Sequence, residues 1–425
     1  MATALVSTTL DDGSLDLTEI ALLVPDKLER LQRGLEFLGA NDGHAFVSAY
    51  GGFWDVPIAT GEPTWVSAPN EDGGGSTRAF FFGDLDSDAD EDLVSLHTGY
   101  DRGSPVPYLL AWERLSDGAL QQRGRFGSTF WGDETPPFLV ADADEDGALD
   151  IVMYLGSPTV FRGDGAFEFT ETEAGPSARY GDLLGLGLFD ATGDGVLDLA
   201  AAFWPSDGGD ENFVNFHAAT AAGEFGAADE SEIGFKTGAP GAFGEVTGDG
   251  APDYVYWSDI GNSRTGLYVS KGIPAAKPPA VATGGFRAAR KVYEADGLNQ
   301  RPWLVDIDGD GVREILGFGG PDVRVARAVG DGTFDVRVHS VPVGDIQDIA
   351  PATGSDLYLL VNIGCRKPCG DGCEGGGFLG MCAECTSDLD CPGSRCVPDP
   401  DGPGLFLRCE PCANCDDAGS IDANL

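Results

Sequence analysis

The sequence is short of positive charge and of long hydrophobic runs. Its 425 residues include 26 Lys and Arg against 70 Asp and Glu, which gives a formal net charge of -44. Because such a field repels phosphates, it argues against nucleic-acid backbones and anionic lipid surfaces as partners. No run reaches the roughly 18 apolar residues that a membrane-spanning helix needs. The partner that this composition favours is a cation.

Cysteine is missing from the first 364 positions, and all ten cysteines stand between 365 and 415. This change predicts a domain boundary, with one domain over 1–363 and a cysteine-rich module over 364–425. An even number in so short a segment indicates a disulfide framework, which persists in oxidising compartments. Zinc or cluster ligation is the alternative use of the same residues. The expected disulfide cysteines are Cys365, Cys369, Cys373, Cys382, Cys385, Cys391, Cys396, Cys409, Cys412 and Cys415.

A recognisable signal peptide is not visible in the first residues. Met1 to Val6 have neither the basic region nor the long apolar stretch of a signal peptide. The cysteines nevertheless favour export, because disulfides are rare in the cytosol. We therefore expect a secreted or cell-surface protein.

An acidic loop recurs five times and organises the first domain. Glycine (63 residues) and proline (26) are abundant, which favours short strands joined by tight turns. Each loop lies between two strand-length apolar runs, and successive loops begin 48 to 61 residues apart, a spacing that fits one four-stranded blade. The loops span 84–92, 142–150, 190–198, 245–253 and 306–314.

Two degenerate units, one at 35–49 with a shortened loop and one at 344–361 with no usable acidic loop, bring the predicted number of blades to seven. The last unit lacks its outer half, and residues near 5–20 resemble that missing half. We expect this segment to supply the outer strand of the last blade, so that no long sheet edge stays exposed. The predicted fold is all-β, a seven-bladed β-propeller closed by an N-terminal strand, followed by the small disulfide-rich module.

The loops have the composition of calcium sites. Oxygen-bearing side chains stand at positions 1, 3, 5 and 9 of each loop, and the carbonyl of position 7 can add a further ligand. Holding several carboxylates together without a cation is strongly repulsive. We therefore expect about five Ca²⁺ ions as the only cofactors. The predicted ligand residues are Asp84, Asp86, Asp88, Asp90, Asp92, Asp142, Asp144, Asp146, Ala148, Asp150, Asp190, Thr192, Asp194, Val196, Asp198, Glu245, Thr247, Asp249, Ala251, Asp253, Asp306, Asp308, Asp310, Val312 and Glu314.

Two other interpretations of the loops are weaker. An EF-hand needs a glutamate at position 12 and flanking helices, and the five loops have neither. Merely polar turns would not explain why 18 carboxylates fall at the same four positions. Charge count tunes calcium affinity, so the first, second and fifth loops are expected to bind more tightly than the two with threonine at position 3. Four loops have glycine at position 6 for the sharp turn, and the first has Ala89.

These units resemble the FG-GAP or VCBS repeats of integrin α-subunit propellers and of many bacterial surface proteins. The resemblance covers roughly 1–363. It implies that the calcium ions are structural, lie on one face of the propeller and leave ligands to meet the opposite face. Ala89, Thr192 and Thr247 depart mildly from the pattern and bear on affinity. The stretch Cys385–Cys396 resembles the short disulfide modules of Dickkopf-like and myxobacterial extracellular proteins.

Candidate ligand-contacting residues lie where the strand after each loop ends. Aromatic side chains beside acids and arginines suit carbohydrate or peptide recognition, although tryptophans at strand ends also simply cap a core. The four histidines share no motif with an acid or a nucleophile, so no catalytic residue is predicted. The candidate ligand face consists of Tyr100, Arg102, Trp204, Asp207, Trp257, Asp259 and Arg264.

The sequence thus favours a non-catalytic recognition or adhesion protein with a protein or carbohydrate ligand and calcium as scaffold. A lectin is one version of this hypothesis. A polysaccharide-degrading enzyme is the second class, which no Lys, His or Tyr cluster supports. A structural module that displays the cysteine-rich segment is the third.

Overall fold

The computed structural model of the chain describes residues 2–11, 14–23, 38–41, 43–49, 51–68, 76–101, 104–126, 137–178, 181–205, 211–234, 240–261, 264–273, 285–296, 301–330, 332–340, 345–351, 356–364, 394–398 and 407–411. All regular secondary structure in these ranges is β-strand, which confirms the all-β prediction. A helix long and apolar enough to cross a bilayer does not occur within them.

The strands that follow the N-terminal segment form six consecutive four-stranded sheets. Sheet 1 contains β3 (Leu38–Ala40), β4 (His44–Ala49), β5 (Gly52–Pro57) and β6 (Thr64–Ser67). Sheet 2 contains β7 (Ser76–Gly83), β8 (Asp92–Asp101), β9 (Ser104–Arg114) and β10 (Leu120–Phe126). Sheet 3 contains β11 (Phe138–Ala141), β12 (Asp150–Tyr154), β13 (Pro158–Gly163) and β14 (Phe169–Glu173). Sheet 4 contains β15 (Gly181–Phe189), β16 (Asp198–Pro205), β17 (Phe213–Ala221) and β18 (Glu224–Glu232).

Sheets 5 and 6 repeat this order, and sheet 7 combines distant parts of the chain. Sheet 5 contains β19 (Gly241–Gly244), β20 (Asp253–Gly261), β21 (Arg264–Ser270) and β22 (Arg290–Asp296). Sheet 6 contains β23 (Trp303–Val305), β24 (Glu314–Gly319), β25 (Asp322–Gly330) and β26 (Thr333–Ser340). Sheet 7 contains β27 (Asp345–Pro351) and β28 (Asp356–Gly364) with β1 (Ala2–Asp11) and β2 (Ser14–Leu23). A separate hairpin pairs β29 (Ser394–Pro398) with β30 (Leu407–Pro411).

The seven sheets are arranged in a ring. In each sheet the strands pair antiparallel with their neighbours, and the first strand of each sheet contacts the first strand of the next, from β3 through β7, β11, β15, β19 and β23 to β27. The last of these, β27, contacts β3 of sheet 1. Sheets radiating from a ring of first strands are the architecture of a β-propeller.

The core lies between the faces of neighbouring sheets. Between sheets 2 and 3, Val94 and Leu109 pack with Ile151 and Phe161, all at most 2 % exposed. Strand β12 is buried at every residue, because its sheet is covered on both faces. This explains why the runs after the acidic loops are continuously apolar instead of alternating.

Sheet 7 joins the start of the described chain to its last propeller strand. Strand β1 pairs antiparallel with β28, with Thr8 opposite Leu357, and β2 lies outside β1. The sequence predicted one outer strand from residues near 5–20, and the structure has two. The reason is that the chain reverses between Asp11 and Ser14, which stand opposite each other.

Two of the ten cysteines fall in the described part of the C-terminal segment. Cys396 in β29 stands opposite Cys409 in β30. The remaining predicted disulfide residues lie outside the described residues; they are Cys365, Cys369, Cys373, Cys382, Cys385, Cys391, Cys412 and Cys415.

Candidate metal centres

The five acidic loops occupy the same place in five consecutive sheets. Each joins the first strand to the second in sheets 2 to 6, and we number them loop 1 (84–92), loop 2 (142–150), loop 3 (190–198), loop 4 (245–253) and loop 5 (306–314). Sheet 1 has only the short connection at Asn41, whose side-chain oxygen accepts the N–H groups of Gly43 and His44. The candidate centres therefore lie at one end of the second strand in each of these five sheets.

The loop backbone turns through the left-handed region twice, at positions 4 and 6. Position 6 has φ between 73° and 94°, at Ala89, Gly147, Gly195, Gly250 and Gly311. Position 4 has φ between 61° and 75°, at Ser87, Glu145, Gly193, Gly248 and Gly309. Sequence reasoning identified only position 6, although glycine at position 4 of three loops is the same signal. The non-glycine residues at these positions adopt a backbone conformation that disfavours a Cβ atom.

The carboxylate at position 1 accepts hydrogen bonds from its own loop. In loop 2, Asp142 accepts the N–H of Asp146 through Oδ1 and that of Gly147 through Oδ2, each at 3.1 Å. The equivalent N–H groups bond to Asp84 and Asp190. Position 1 therefore fixes the turn of the loop.

The carboxylate at position 5 accepts the N–H of position 7, so both belong to one small turn. These distances are 3.0 Å for Asp88 with Asp90, 2.8 Å for Asp146 with Ala148, 3.0 Å for Asp194 with Val196, 3.2 Å for Asp249 with Ala251 and 2.8 Å for Asp310 with Val312. The turn brings position 7, the predicted carbonyl ligand, next to the carboxylate of position 5.

Position 9 has a second role that the sequence did not predict. Asp150 is fully buried; its Oδ2 accepts the N–H of Ala143 at 3.0 Å, and its Oδ1 accepts the N–H of Gly163 at the end of β13 at 2.9 Å. Asp92, Asp198 and Asp253 make the same two kinds of bond. Position 9 therefore ties the start of the loop to the third strand of its sheet.

Loop 5 uses a longer side chain for the same purpose. Glu314, 3 % exposed, accepts the N–H of Ile307 at 2.9 Å and the Nε–H of Arg327 at 3.0 Å. Burial raises the pKa of the position-9 carboxyls, to about 6 at Asp92 and about 7 at Asp253, because leaving water penalises the charged form. The backbone N–H bonds act in the opposite direction on both groups.

The oxygen at position 3 is the group that the fold leaves unsatisfied. Four loops have a buried position-3 oxygen without a hydrogen-bond partner among the described residues: Asp86 Oδ1, Asp144 Oδ1, Thr192 Oγ1 and Thr247 Oγ1. The side chain of Asp144 is 10 % exposed, and Thr247 is 7 % exposed. Asp90 Oδ1 and Glu245 Oε2, in loops 1 and 4, are in the same state. Since buried polar atoms are nearly always paired, each of these oxygens is free to accept a further partner.

Carboxylates converge in three of the loops. One ligand atom from each of three residues lies within 4.8 Å of the other two in the sets Asp84, Asp86 and Asp92; Asp142, Asp144 and Asp146; and Asp306, Asp308 and Glu314. These belong to loops 1, 2 and 5, which have four carboxylates at the ligand positions. Loops 3 and 4 have threonine at position 3, so fewer carboxylates converge there.

A basic side chain in the third strand, or directly after it, reaches three of the loops. Arg162 Nη1 lies 3.0 Å from Asp144 Oδ2 in loop 2. Lys271 Nζ lies 3.4 Å from Asp249 Oδ2 in loop 4. Arg327 Nη1 lies 3.2 Å from Asp308 Oδ2 in loop 5. Sequence reasoning missed all three residues.

Loops 1 and 3 have no basic residue at the corresponding place. In sheet 3, Arg162 directly precedes Gly163, the third-strand residue whose N–H bonds to the position-9 carboxylate of Asp150. The residues directly before the equivalent N–H donors are Glu113 in sheet 2 and Ala218 in sheet 4. Glu113 pairs with Arg123, outside loop 1. A loop's local charge therefore depends on its third strand as well as on its own sequence.

The predicted ligand face is only partly described. Arg102 and Asp207 lie outside the described residues, and Tyr100 lies in β8, where its side chain is also undescribed. Trp257 is 3 % exposed and packs in the core between sheets 5 and 6. Trp204 is half-buried against the core of sheets 4 and 5.

Asp259 and Arg264 lie at the β20–β21 hairpin. This hairpin is at the opposite end of β20 from loop 4. Asp259 is exposed and accepts the N–H of Gly261 at 2.7 Å, and Arg264 Nη1 pairs with Glu294 at 2.5 Å. Of the described candidates, these two stand at the surface.

Two histidines are core residues. His97 and His217 are fully buried. His97 lies between Thr77 Oγ1 at 3.2 Å and Ser95 Oγ at 2.7 Å, and burial lowers its pKa to about 3. Such a buried, neutral imidazole packs and forms hydrogen bonds inside sheet 2.

Comparison with known proteins gives fold-level likeness only. No family model and no curated protein matches the sequence. An Agrocybe aegerita lectin that recognises non-reducing terminal N-acetylglucosamine is 16 % identical with a TM-score of 0.48, covering 85 % of this chain and 95 % of its own. The Dos1 propeller is 10 % identical with a TM-score of 0.46, covering 84 % and 90 %.

The extracellular domains 1–2 of Drosophila semaphorin 1b are 9 % identical with a TM-score of 0.42, covering 77 % of this chain and 84 % of that one. All three TM-scores lie below 0.5, so these likenesses carry no argument about ligand or function. The propeller architecture follows from the order of the sheets and their contacts.

Proposed function

We propose that this protein is an extracellular, seven-bladed β-propeller that binds structural Ca²⁺ in loops 1 to 5 and serves recognition. The observation that carries the proposal is the set of buried position-3 oxygens without a hydrogen-bond donor, in four of the five loops. An unsatisfied buried oxygen costs about 1–3 kcal/mol, more when it is charged. A cation at the centre of the loop would satisfy these oxygens together.

Calcium suits the donors that the loops offer. Positions 1, 3, 5 and 9 supply carboxylate or hydroxyl oxygens, with no sulfur or imidazole nitrogen among them, which argues against zinc. Calcium accepts six to eight oxygens in a flexible arrangement, whereas magnesium demands a tight octahedron. The loops are not identical at positions 1 and 3, since loop 4 has Glu245 and Thr247 there. Such variation fits calcium, which tolerates a less regular geometry than magnesium.

An extracellular location agrees with the calcium loops and with the cysteine-rich C-terminal segment. Extracellular calcium modules function with dissociation constants of about 10⁻⁴–10⁻³ M, so loops of modest affinity are filled there. The ten cysteines of the C-terminal segment favour the same oxidising environment.

Recognition belongs to the surface away from the metal loops. The β20–β21 hairpin presents Asp259 and Arg264 at the end of β20 opposite loop 4. A rigid ring braced by metal at one end holds such hairpins in fixed positions, which lowers the entropy cost of binding a ligand. The ligand is a carbohydrate or a protein.

Metal analysis tests the calcium part of the proposal. After gel filtration in calcium, elemental analysis should find several Ca²⁺ ions per chain, and Asp144→Asn should lose one of them. Asp164→Asn is the matched control, because Asp164 is an exposed carboxylate in the β13–β14 turn outside every loop. Less than one ion per chain, or equal loss in both variants, would refute it.

A glycan array run in calcium and again in chelator tests recognition. Calcium-dependent glycan binding supports a lectin, and shortened glycans after incubation would instead indicate an enzyme. If no glycan binds, pull-down with surface proteins tests the protein-ligand version. Binding that survives in Asp259→Ala combined with Arg264→Ala would contradict the surface assigned here.

A further inference from the structure

A cavity of 290 Å³ lies against the inner ring of the propeller. Its walls come from the first strands of four consecutive sheets, β11, β15, β19 and β23, from Arg301 and Pro302 before β23, and from Arg313 before β24. Its volume is close to the lower limit of small-molecule sites, about 300 Å³. No residue at a predicted ligand position lines the cavity, although Arg313 belongs to loop 5 at position 8.

The charge of this cavity is opposite to that of the protein. Two arginines, Arg301 and Arg313, line it, and no carboxylate does. The chain as a whole has 70 acidic residues against 26 basic ones, so a lining with only basic charge is a marked departure from the composition. A low-dielectric cavity lined by one sign of charge concentrates the field and attracts an ion of the opposite sign.

Arg301 has no counter-ion in the described part of the chain. Neither an ion pair nor a hydrogen bond to its guanidinium occurs there. Burial lowers the pKa of Arg301, but an arginine side chain stays charged in proteins. A partly buried, unpaired positive charge is costly unless an anion accompanies it.

An unused donor lies on β20 behind the cavity wall, where Tyr254 stands opposite the lining residue Phe243. Tyr254 is fully buried, and its hydroxyl has no hydrogen-bond partner among the described residues. Gly241 makes room for this hydroxyl, since a Cβ atom at that position would stand 2.3 Å from the oxygen.

The rest of the wall is aromatic and aliphatic. Phe189, Phe243 and Trp303 line the cavity together with aliphatic side chains of the inner strands. Such a wall accepts the flat or apolar body of an organic molecule. An inorganic ion would leave this surface unused.

We propose that this cavity binds a small organic anion whose carboxylate pairs with Arg301 and whose ring packs against Trp303 and Phe243. Arg313 lies at the same cavity and adds a second positive charge. Guanidinium and carboxylate form two parallel hydrogen bonds, which explains an arginine here better than a lysine. The site does not rest on the calcium proposal, and either can fail without the other.

Calorimetric titration with benzoate and with benzyl alcohol tests this site on the full chain in calcium. The two probes share a ring and differ in charge. Benzoate should bind, and benzyl alcohol should bind about tenfold more weakly or not at all, because it lacks the charge that Arg301 recognises. Equal binding of the two probes, or none of either, would overturn the proposal.

Variants assign the site to Arg301. Arg301→Met should weaken benzoate binding by about tenfold or more, and Arg301→Lys should fall between this variant and the wild type. Arg287→Met is the matched control, because Arg287 is exposed and does not line the cavity. Thermal melting shows whether each variant is folded. Unchanged benzoate affinity in folded Arg301→Met or Arg301→Lys would place the binding elsewhere.

Discussion

Loops 1 and 2 both have aspartate at positions 1, 3, 5 and 9, but opposite charges stand beside them. Loop 2 has the Arg162 guanidinium 3.0 Å from Asp144. Loop 1 has Glu113 at the corresponding place on its third strand. Burial raises the pKa of Asp86 in loop 1, and the charges of Asp88 and Glu113 raise it further.

The comparison teaches that a cation-binding loop is tuned from the neighbouring strand. Arg162 already neutralises part of loop 2. In sheet 2 the third-strand residue Arg114 opposes the rise that burial causes in the pKa of Asp90, but its ion pair among the described residues is with Asp55, outside loop 1. Counting carboxylates within the loops ranks loops 1, 2 and 5 together. With Arg162 and Arg327 included, we expect loop 1 to bind calcium more tightly than loops 2 and 5.

Calcium removal should have the largest effect. A ligand at 100 times its dissociation constant stabilises the folded state by about 2.7 kcal/mol per site, so chelation should lower the free energy of unfolding by several kcal/mol. Hydrogen exchange with and without chelator should show a greater loss of protection in loop 1 than in loop 2, where Arg162 remains. Equal loss in both loops would contradict the comparison.

Substitution at position 9 should have the next largest effect and should persist without metal. Asp150→Asn is expected to lower the free energy of unfolding by about 3 kcal/mol in chelator, because the buried carboxylate accepts backbone N–H groups, and by more in calcium, because Asp150 is also a predicted ligand. Asp144→Asn should lose stability mainly in calcium. Chemical denaturation of both variants in both conditions checks this, and identical behaviour would remove the distinction between brace and ligand.

Sheet 2 also differs from sheet 3 in containing the buried His97. Its pKa is about 3 in the folded protein, against about 6.5 unfolded. The unfolded state therefore binds the extra proton between these values, so stability present above pH 6.5 is lost as the pH falls, by up to about 1.4 kcal/mol per unit. Denaturation between pH 4 and 7 should show a shallower slope in His97→Asn. Parallel slopes would exclude this contribution.

Exchanging the neighbouring charges should shift affinity moderately. Arg162→Met should strengthen calcium binding at loop 2 by about fivefold, and Glu113→Gln should weaken it at loop 1 by a similar factor, since each change is worth about 1 kcal/mol at a partly exposed site. Calcium titration measures both. Arg337→Met, an exposed change outside the loops, is the control and should have no effect.

The smallest effect concerns the backbone of loop 1. Ala89 has φ of 73°, where loop 2 has Gly147. Ala89→Gly should stabilise the protein by about 1 kcal/mol, and Gly147→Ala should destabilise it by a similar amount. Thermal melting checks the pair, and a loss of stability in Ala89→Gly would show that the alanine side chain has a packing role.

The repeat was readable from the sequence because each loop combines a fixed charge pattern with apolar flanks. That pattern located the first hairpin in sheets 2 to 6. The basic side chains beside the loops could not be predicted from the sequence, because the second hairpin varies in length. Arg162, Lys271 and Arg327 follow position 9 of their loops by 12, 18 and 13 residues. The second left-handed turn was hidden in loop 2, where Glu145 occupies it.

The pairing of β1 with β28 has a kinetic consequence. Thr8 meets Leu357 across nearly the full length of the propeller sequence. During synthesis β1 and β2 are made long before β27 and β28, their partners in sheet 7, and closing so large a loop is entropically slow. Sheets 1 to 6 can form in order during synthesis, whereas sheet 7 can form only after β27 and β28 have been made. Formation of sheet 7 closes the ring. We expect a force that separates β1 from β28 to open the ring at this sheet first.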